Sequence, residues 1–98
     1  MIVRIVKMTF RADEIEHFKA VFEESRHQIR SYPGVIYLEL LQDKTDTTIF
    51  FTYSHWEKEE DLESYRHSEL FKSVWSKTKP LFAKAAEAWS NERLHQLK

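Results

Sequence analysis

The 98-residue sequence contains no cysteine. Without thiols the chain can form no disulfide, and it can supply neither a thiolate nucleophile nor a thiolate ligand for zinc or an iron–sulfur cluster. The lack of cysteine also fits a reducing compartment. The histidines include no pair at i, i+4 spacing with carboxylate support, so no metal site is predicted.

Glycine occurs only at Gly34, and proline occurs only at Pro33 and Pro80. A dinucleotide- or phosphate-binding loop needs several closely spaced glycines, so the sequence excludes both the Rossmann and the P-loop classes. There is no repeat, low-complexity tract or linker. The length therefore predicts one domain over residues 1–98.

Neither sign of charge dominates, because 15 basic and 16 acidic residues leave a formal net charge of -1. A nucleic-acid-binding surface needs a basic stripe and a membrane-surface anchor needs a basic amphipathic helix, so neither partner is predicted. No apolar run is long enough to span a bilayer. The opening segment carries Arg4 and Lys7 and is not expected to be a signal peptide. We expect a cytoplasmic protein.

Aromatic residues are abundant, with 3 Trp, 4 Tyr and 7 Phe in a short chain. Each brings a large apolar area, so a compact core is feasible despite the small size. The same residues could also line a dimer interface or a ligand pocket.

The first segment, residues 1–10, is rich in β-branched residues and predicts a strand. Both of its faces are largely apolar, with Ile2, Val6, Met8 and Phe10 on one and Val3, Ile5 and Thr9 on the other. A sheet covered on only one face would alternate more cleanly between apolar and polar residues. We therefore expect the second face to meet another protein surface.

Further strands and helices follow from period and end signals. Helices are predicted over residues 13–31, with Asp13 and Glu16 in a capping box, over residues 57–67, and from an N-cap at Ser68; strands are predicted over residues 35–41, 48–56 and 87–97. The order β-α-β-β-α-α-β predicts an α+β fold of the ferredoxin-like βαββαβ kind with an antiparallel sheet. Arg4 and Glu39 interrupt apolar strands and are expected to face each other across the sheet or to line an interface.

Several motifs occur in a characteristic order: Tyr32-Pro33-Gly34-Val35 at a helix-to-strand turn, Tyr53-Ser54-His55-Trp56-Glu57 at a strand end, then Leu62 and Tyr65-Arg66-His67-Ser68-Glu69-Leu70-Phe71. This pattern resembles the antibiotic biosynthesis monooxygenase (ABM) domain family. The resemblance implies a homodimer in which two sheets close into a dimeric α+β barrel. The family includes cofactor-independent oxygenases of polyphenolic and quinol substrates, haem-degrading oxygenases, an autoinducer-processing enzyme and members with no known reaction.

Haem degradation is not the leading expectation. The resemblance implies that haem-degrading members carry a Trp, an Asn and an iron-ligating His at the positions that Trp56, Val6 and Trp75 occupy in this chain. Only the first of these matches, and the usual axial ligand is missing. Haem binding in a different pose remains a weaker alternative.

The first hypothesis is therefore a monooxygenase without metal, flavin, haem or any other cofactor, acting on a small aromatic or quinol-type substrate. The predicted catalytic residues are Trp56, Tyr65 and Arg66. Quinol-type members often carry a His where this chain has Tyr65, which can still donate a hydrogen bond or a proton. The predicted substrate-binding residues are Phe18, Phe22, Phe50, Phe71 and Trp75.

The second hypothesis is a non-enzymatic dimeric module of the same fold that binds a small apolar ligand or only assembles. Under it, Trp56 is a packed aromatic, Tyr65 is packed with its hydroxyl at a rim, and Arg66 forms an exposed ion pair. A filled interior would favour this hypothesis. A ligand-sized cavity with a convergent Tyr, Arg or His would favour the first.

Overall fold

The computed structural model describes all residues, 1–98, and contains four strands and three α-helices. The elements in chain order are β1 (Ile2–Phe10), α1 (Ile15–Arg30), β2 (Val35–Gln42), β3 (Ile49–Trp56), α2 (Glu59–Arg66), α3 (Glu69–Thr78) and β4 (Phe82–Glu92). The second helix of the ferredoxin-like order is divided in two. The predicted fold class is confirmed.

The four strands form one sheet in the order β2-β3-β1-β4, and every neighbouring pair is antiparallel. β1 is central, and Arg4 in it lies opposite Ser54 of β3 and Ser90 of β4. Hydrogen-bonded partners in a sheet point to the same face, so these three side chains share one side.

All three helices cover the same face of the sheet, because the buried strand residues pack against helical ones on that side alone. One core cluster is centred on Met8, Phe10, Phe18, Phe50 and Leu81. A second cluster is centred on Val35, Trp56 and Leu62. The two clusters occupy opposite ends of the space between sheet and helices.

Gly34 makes the turn that leads from α1 into β2. Its φ angle of 93° lies in a region that only glycine occupies at low cost. A Cβ at this position would collide with the Asp61 side chain on α2. The Gly34 carbonyl also accepts a 2.8 Å hydrogen bond from the Glu57 amide. The turn therefore fixes where the short helix α2 sits over the sheet.

Helix starts follow the sequence signals only in part. A 3₁₀ turn over Ala12–Glu14 precedes α1, and neither Arg11 nor Glu14 caps by a side-chain hydrogen bond. The predicted Asp13 capping box is therefore wrong, since the local backbone is already helical there. The predicted cap at Ser68 is confirmed, because its hydroxyl accepts a 3.1 Å hydrogen bond from the Phe71 amide.

The last strand begins earlier than predicted. β4 spans Phe82–Glu92 rather than residues 87–97. Pro80 ends the helical stretch in a 3₁₀ turn over Lys79–Leu81, because proline cannot donate the hydrogen bond that would continue the helix. Phe82 is the first residue of this strand.

The opposite face of the sheet carries no helix and is rich in large side chains. Tyr37, Tyr53 and His55 pack there with ring centroids 5.0–6.3 Å apart, and Trp89 is 45% exposed. Ile5 of β1 lies between Tyr53 and Trp89 on this face, so the uncovered side is rich in apolar and aromatic side chains.

Arg4 and Glu39 do not face each other. Arg4 lies on the helix-covered side, whereas Glu39 lies beside Tyr53 on the uncovered side and accepts a hydrogen bond from the Tyr37 hydroxyl. The two residues have opposite orientation because strand side chains alternate between the two faces. None of the three helices is long and apolar enough to cross a membrane.

Candidate active site

A cavity of about 370 Å³ lies between the sheet and the three helices. Its size is within the range of roughly 300–1,000 Å³ that is usual for small-molecule sites. Hydrophobic side chains make up 15 of its 20 lining residues, so an apolar ligand would be favoured. The β4 wall consists of the small residues Ala86 and Ala88.

Four aromatic rings form a continuous wall along this cavity. Trp56 contacts Tyr65, Tyr65 contacts Phe71, and Phe71 contacts Trp75, at centroid separations of 5.2, 5.3 and 5.6 Å respectively. The last pair is stacked, with an interplanar angle of 14°. Aromatic rings at such separations offer faces and edges to a planar ligand.

Trp56 is the last residue of β3 and is 2% exposed. Its indole N–H donates a 3.0 Å hydrogen bond to the Ser54 hydroxyl, which lies two residues earlier on the same face. The donor is thus already satisfied inside the protein, and the indole contributes a wall of the cavity rather than a free polar group.

Tyr65 is the last residue but one of α2, next to the break between α2 and α3. Burial and then the neighbouring Tyr32 raise the pKa of Tyr65 to about 12. Its phenol is therefore neutral throughout the physiological range. The Tyr32 hydroxyl is paired with Ser64 at 2.8 Å, whereas the Tyr65 hydroxyl makes no hydrogen bond within the protein and can donate to a ligand.

Arg66 follows Tyr65 and also lines the cavity, at its solvent side. Its side chain is 47% exposed and lies 3.5 Å from a Glu63 carboxylate oxygen. Exposed ion pairs of this kind are worth little, so the guanidinium can turn toward a ligand at small cost. Both of the roles expected for Arg66, an exposed ion pair and a polar group at the pocket, are compatible with this geometry.

Arg4 is a charged residue of the cavity that is absent from the predicted site residues. Its Nη1 donates a 2.9 Å hydrogen bond to the Ser90 hydroxyl. Burial lowers the pKa of Arg4, the nearby Arg66 lowers it further, and Glu63 partly opposes both. The sequence does contain a signal that Arg4 faces the cavity, because strand alternation puts position 4 between Ile2 and Val6 on the face predicted to be covered.

Of the eight predicted site residues, the structure brings seven to the cavity: Trp56, Tyr65, Arg66, Phe18, Phe22, Phe71 and Trp75. Phe50 is the exception. It lies on the covered face but at the far end of the sheet, where it packs edge-on against Phe10 and Phe18 and fills the core.

The cavity offers no nitrogen ligand at the positions that haem-degrading relatives would use. Val6 and Trp75 line the wall there, and neither side chain can coordinate iron. No three His, Asp or Glu side chains in the molecule are grouped so that they could hold a metal ion.

The sequence of residues 1–75 matches the model of the antibiotic biosynthesis monooxygenase family. The chain belongs to the ABM family. The match covers β1 through most of α3 and therefore includes every cavity residue named above except the alanines of β4. No curated protein matches this sequence significantly.

Solved structures of similar fold agree with membership of the ABM family. A Nitrosomonas europaea protein named for antibiotic biosynthesis monooxygenases is 21% identical, with a TM-score of 0.90 over 97% of this chain and 100% of its own. Similarly named proteins from Caulobacter crescentus and Deinococcus radiodurans have TM-scores of 0.89 at 16% and 12% identity. They cover 96% and 100% of this chain, and 90% and 97% of their own chains are matched. At such identities the likeness establishes the fold alone.

Proposed function

We propose that this ABM-family chain is a cofactor-independent monooxygenase of a small aromatic or quinol-type substrate. The observation that carries the proposal is the apolar, aromatic-walled cavity of about 370 Å³ that has a neutral Tyr65 and the two arginines Arg4 and Arg66 among its lining residues. A ligand-sized cavity with convergent polar groups is what distinguishes this hypothesis from a purely structural one.

The reaction uses the substrate as its own reductant. A deprotonated quinol or anthrone-type ring carbon forms a carbon–oxygen bond with O₂, and the O–O bond then breaks. One oxygen atom remains on the ring as a carbonyl, and the other leaves as water with the two hydrogen atoms lost by the substrate. The substrate supplies all the electrons, so no external reductant is needed.

The residues of the cavity assist by stabilising charge. The Tyr65 hydroxyl donates a hydrogen bond to the substrate oxyanion, and Arg4 and Arg66 favour the deprotonated substrate electrostatically. Trp56, Phe71 and Trp75 hold the ring and keep water away from the reacting carbon. No Asp, Glu or His lines the cavity, so the substrate loses its proton to solvent before it is enclosed, and the arginines favour binding of the resulting anion.

The proposed partner is a second copy of this chain, which would cover the face of the sheet that bears no helix. Exposed Tyr37, Leu41 and Trp89 on that face support the proposal, because a monomer rarely leaves such a cluster in water. Two sheets packed in this way would form the dimeric α+β barrel that the ABM resemblance implies.

Oxygen uptake tests the reaction. Purified protein is mixed with 1,4-naphthohydroquinone or anthrone, and the rate is corrected for spontaneous oxidation without protein. We expect protein-dependent uptake with one atom of ¹⁸O₂ entering the product. Tyr65→Phe should slow it about a hundredfold to a thousandfold, by analogy with loss of one oxyanion donor. The matched control is Tyr53→Phe, which removes a hydroxyl on the uncovered face.

A non-enzymatic ligand-binding module of the same fold is the second candidate. It is favoured by the lack of a carboxylate or imidazole base on the cavity wall and by the internal use of the Trp56 N–H. Binding of the same quinols under anaerobic conditions, together with no protein-dependent oxygen uptake in air, would select this function over the first.

A further inference from the structure

We propose that the natural ligand is an aromatic carboxylate whose carboxylate lies between the guanidinium groups of Arg4 and Arg66, with its ring against the aromatic wall. This inference rests on the proposed function, because it names the substrate class of the same cavity. It depends on charge and position rather than on the oxygenation step.

The lining of the cavity includes two cationic side chains, Arg4 and Arg66, and no anionic one. The two guanidinium groups are close enough for Arg66 to lower the pKa of Arg4. Glu63 is the one carboxylate that acts on Arg4, and it lies outside the cavity between Arg66 and His67. An anionic ligand would relieve the repulsion between the two cations.

Arg4 is the costlier of the two charges. It lies in the central strand, half-buried, and its one side-chain hydrogen bond goes to the neutral hydroxyl of Ser90. A guanidinium has five N–H donors, and most of those on Arg4 have no protein acceptor. No buried side-chain nitrogen or oxygen in the molecule lacks a partner, so these donors are open to the cavity and to solvent, where a ligand can reach them. A carboxylate accepts two parallel hydrogen bonds from one guanidinium and would satisfy this site.

The arginines and the aromatic wall define an orientation. Arg4 lies opposite Ser54 on the neighbouring strand, close to Trp56, and Arg66 directly follows Tyr65. Both cations therefore lie at the Trp56–Tyr65 end of the wall. Trp75 forms the other end, where it packs against Phe82, the partner of Phe10 at the far end of β1. A planar ligand with its anionic group at one end would place that group beside the arginines and its ring toward Trp75.

Binding of two nearly isosteric probes tests the inference. 1-Naphthoate carries a carboxylate, and 1-naphthamide has the same ring and shape without the charge. We expect the wild-type protein to bind 1-naphthoate about ten to a hundred times more tightly, as for hydrogen bonds to charged groups. Isothermal titration calorimetry in low-salt buffer at pH 7.5 measures both dissociation constants.

Charge-removing variants locate the carboxylate. Arg4→Met and Arg66→Met keep an apolar stem of similar length, and each should weaken 1-naphthoate binding about tenfold or more while leaving 1-naphthamide binding unchanged. The control Arg26→Met removes an arginine that pairs with Glu23 on the exposed side of α1 and should change neither constant. Retained 1-naphthamide binding shows that a variant is folded, and if Arg4→Met does not fold, the exposed Arg66 carries the test.

The outcomes separate this inference from the function on which it rests. Equal affinity for the two probes, or arginine variants that bind 1-naphthoate as the wild type does, refutes the carboxylate site while leaving an aromatic pocket intact. Failure to bind either probe overturns both the carboxylate site and the aromatic-substrate cavity. Tight 1-naphthoate binding without oxygen uptake on any quinol supports the anion site and contradicts the monooxygenase.

Discussion

The indole N–H of Trp56 is hydrogen-bonded to the hydroxyl of Ser54, and both residues are buried at the end of β3. Removing either partner leaves a buried polar group unsatisfied, at a cost of about 1–3 kcal/mol. Ser54→Ala and Trp56→Phe should each lower the free energy of unfolding by at least that amount. The Trp56 substitution should cost more, because it also removes ring volume.

The double variant Ser54→Ala/Trp56→Phe distinguishes a true partnership from two independent losses. With neither polar group present, its destabilisation should be smaller than the sum of the single effects by about 0.5–3 kcal/mol. Urea unfolding followed by circular dichroism gives the three values. Strict additivity would mean that the hydrogen bond contributes nothing to stability.

The raised pKa of Tyr65 predicts a specific alkaline behaviour. Burial, followed by the influence of Tyr32, moves the pKa of the folded state from 10.0 to about 12. Between those pH values the unfolded chain has lost the proton that the folded chain retains, so stability should fall as pH rises through this window. Below pH 10 the tyrosine should contribute no pH dependence.

Ultraviolet difference titration measures this behaviour directly. The absorbance change at the phenolate band, taken as wild type minus Tyr65→Phe, should have its midpoint near pH 12. The same variant should lose the additional decline in urea stability above pH 10. A midpoint near pH 10 would mean that the phenol is open to water, and Tyr65 could then not serve as a neutral donor in a dry cavity.

The uncovered face of the sheet predicts a dimer that one charge can disrupt. The monomer mass is 11.9 kDa, and light scattering after gel filtration should give twice that value for the wild type. Trp89→Glu places a charge among apolar side chains on that face and should yield monomers at micromolar concentration. Lys72→Glu, an exposed change on α3, is the matched control. A monomeric wild type would remove the reason for the second apolar face.

Gly34 is predicted to be irreplaceable on two grounds. Its φ of 93° costs an L-residue about 1–3 kcal/mol, and an added Cβ would also collide with Asp61. Gly34→Ala should therefore lower the free energy of unfolding by more than 2 kcal/mol and displace α2. Asp61→Ala in the same background should not restore stability, because the Asp61 Cβ itself is in the way. Full rescue would show that only the carboxylate end matters.

Strand alternation and helical period predicted most of the fold, and the resemblance to the ABM family pointed to most of the cavity. The structure does bring together four of the predicted site residues, Trp56, Tyr65, Phe71 and Trp75. These residues are large and apolar, so their burial dominates the choice of face. Periodicity predicts which face of a strand or helix a residue occupies, and the cavity lies between one face of the sheet and the facing sides of the helices.

The incorrect predictions concern residues for which the face of the element is not enough to determine the position. Phe50 has the right orientation, but its place along β3 puts it in the filled core rather than beside the cavity. The sequence predicts a charged partner or an interface for Arg4, whereas its two neighbours across the sheet are serines. The start of β4 was missed because Ala85, Ala86 and Ala88 carry little strand signal.

The alanines of β4 have a consequence for how such a protein could diversify. Ala86 and Ala88 have small side chains, so the part of the cavity beside β4 is left open for a ligand. A single change to valine or leucine there would shorten the compartment while leaving the arginines, the tyrosine and the ring ladder untouched. The length of ligand that fits is thus limited in part by small residues on the edge strand β4, away from the elements that carry Tyr65 and the aromatic wall.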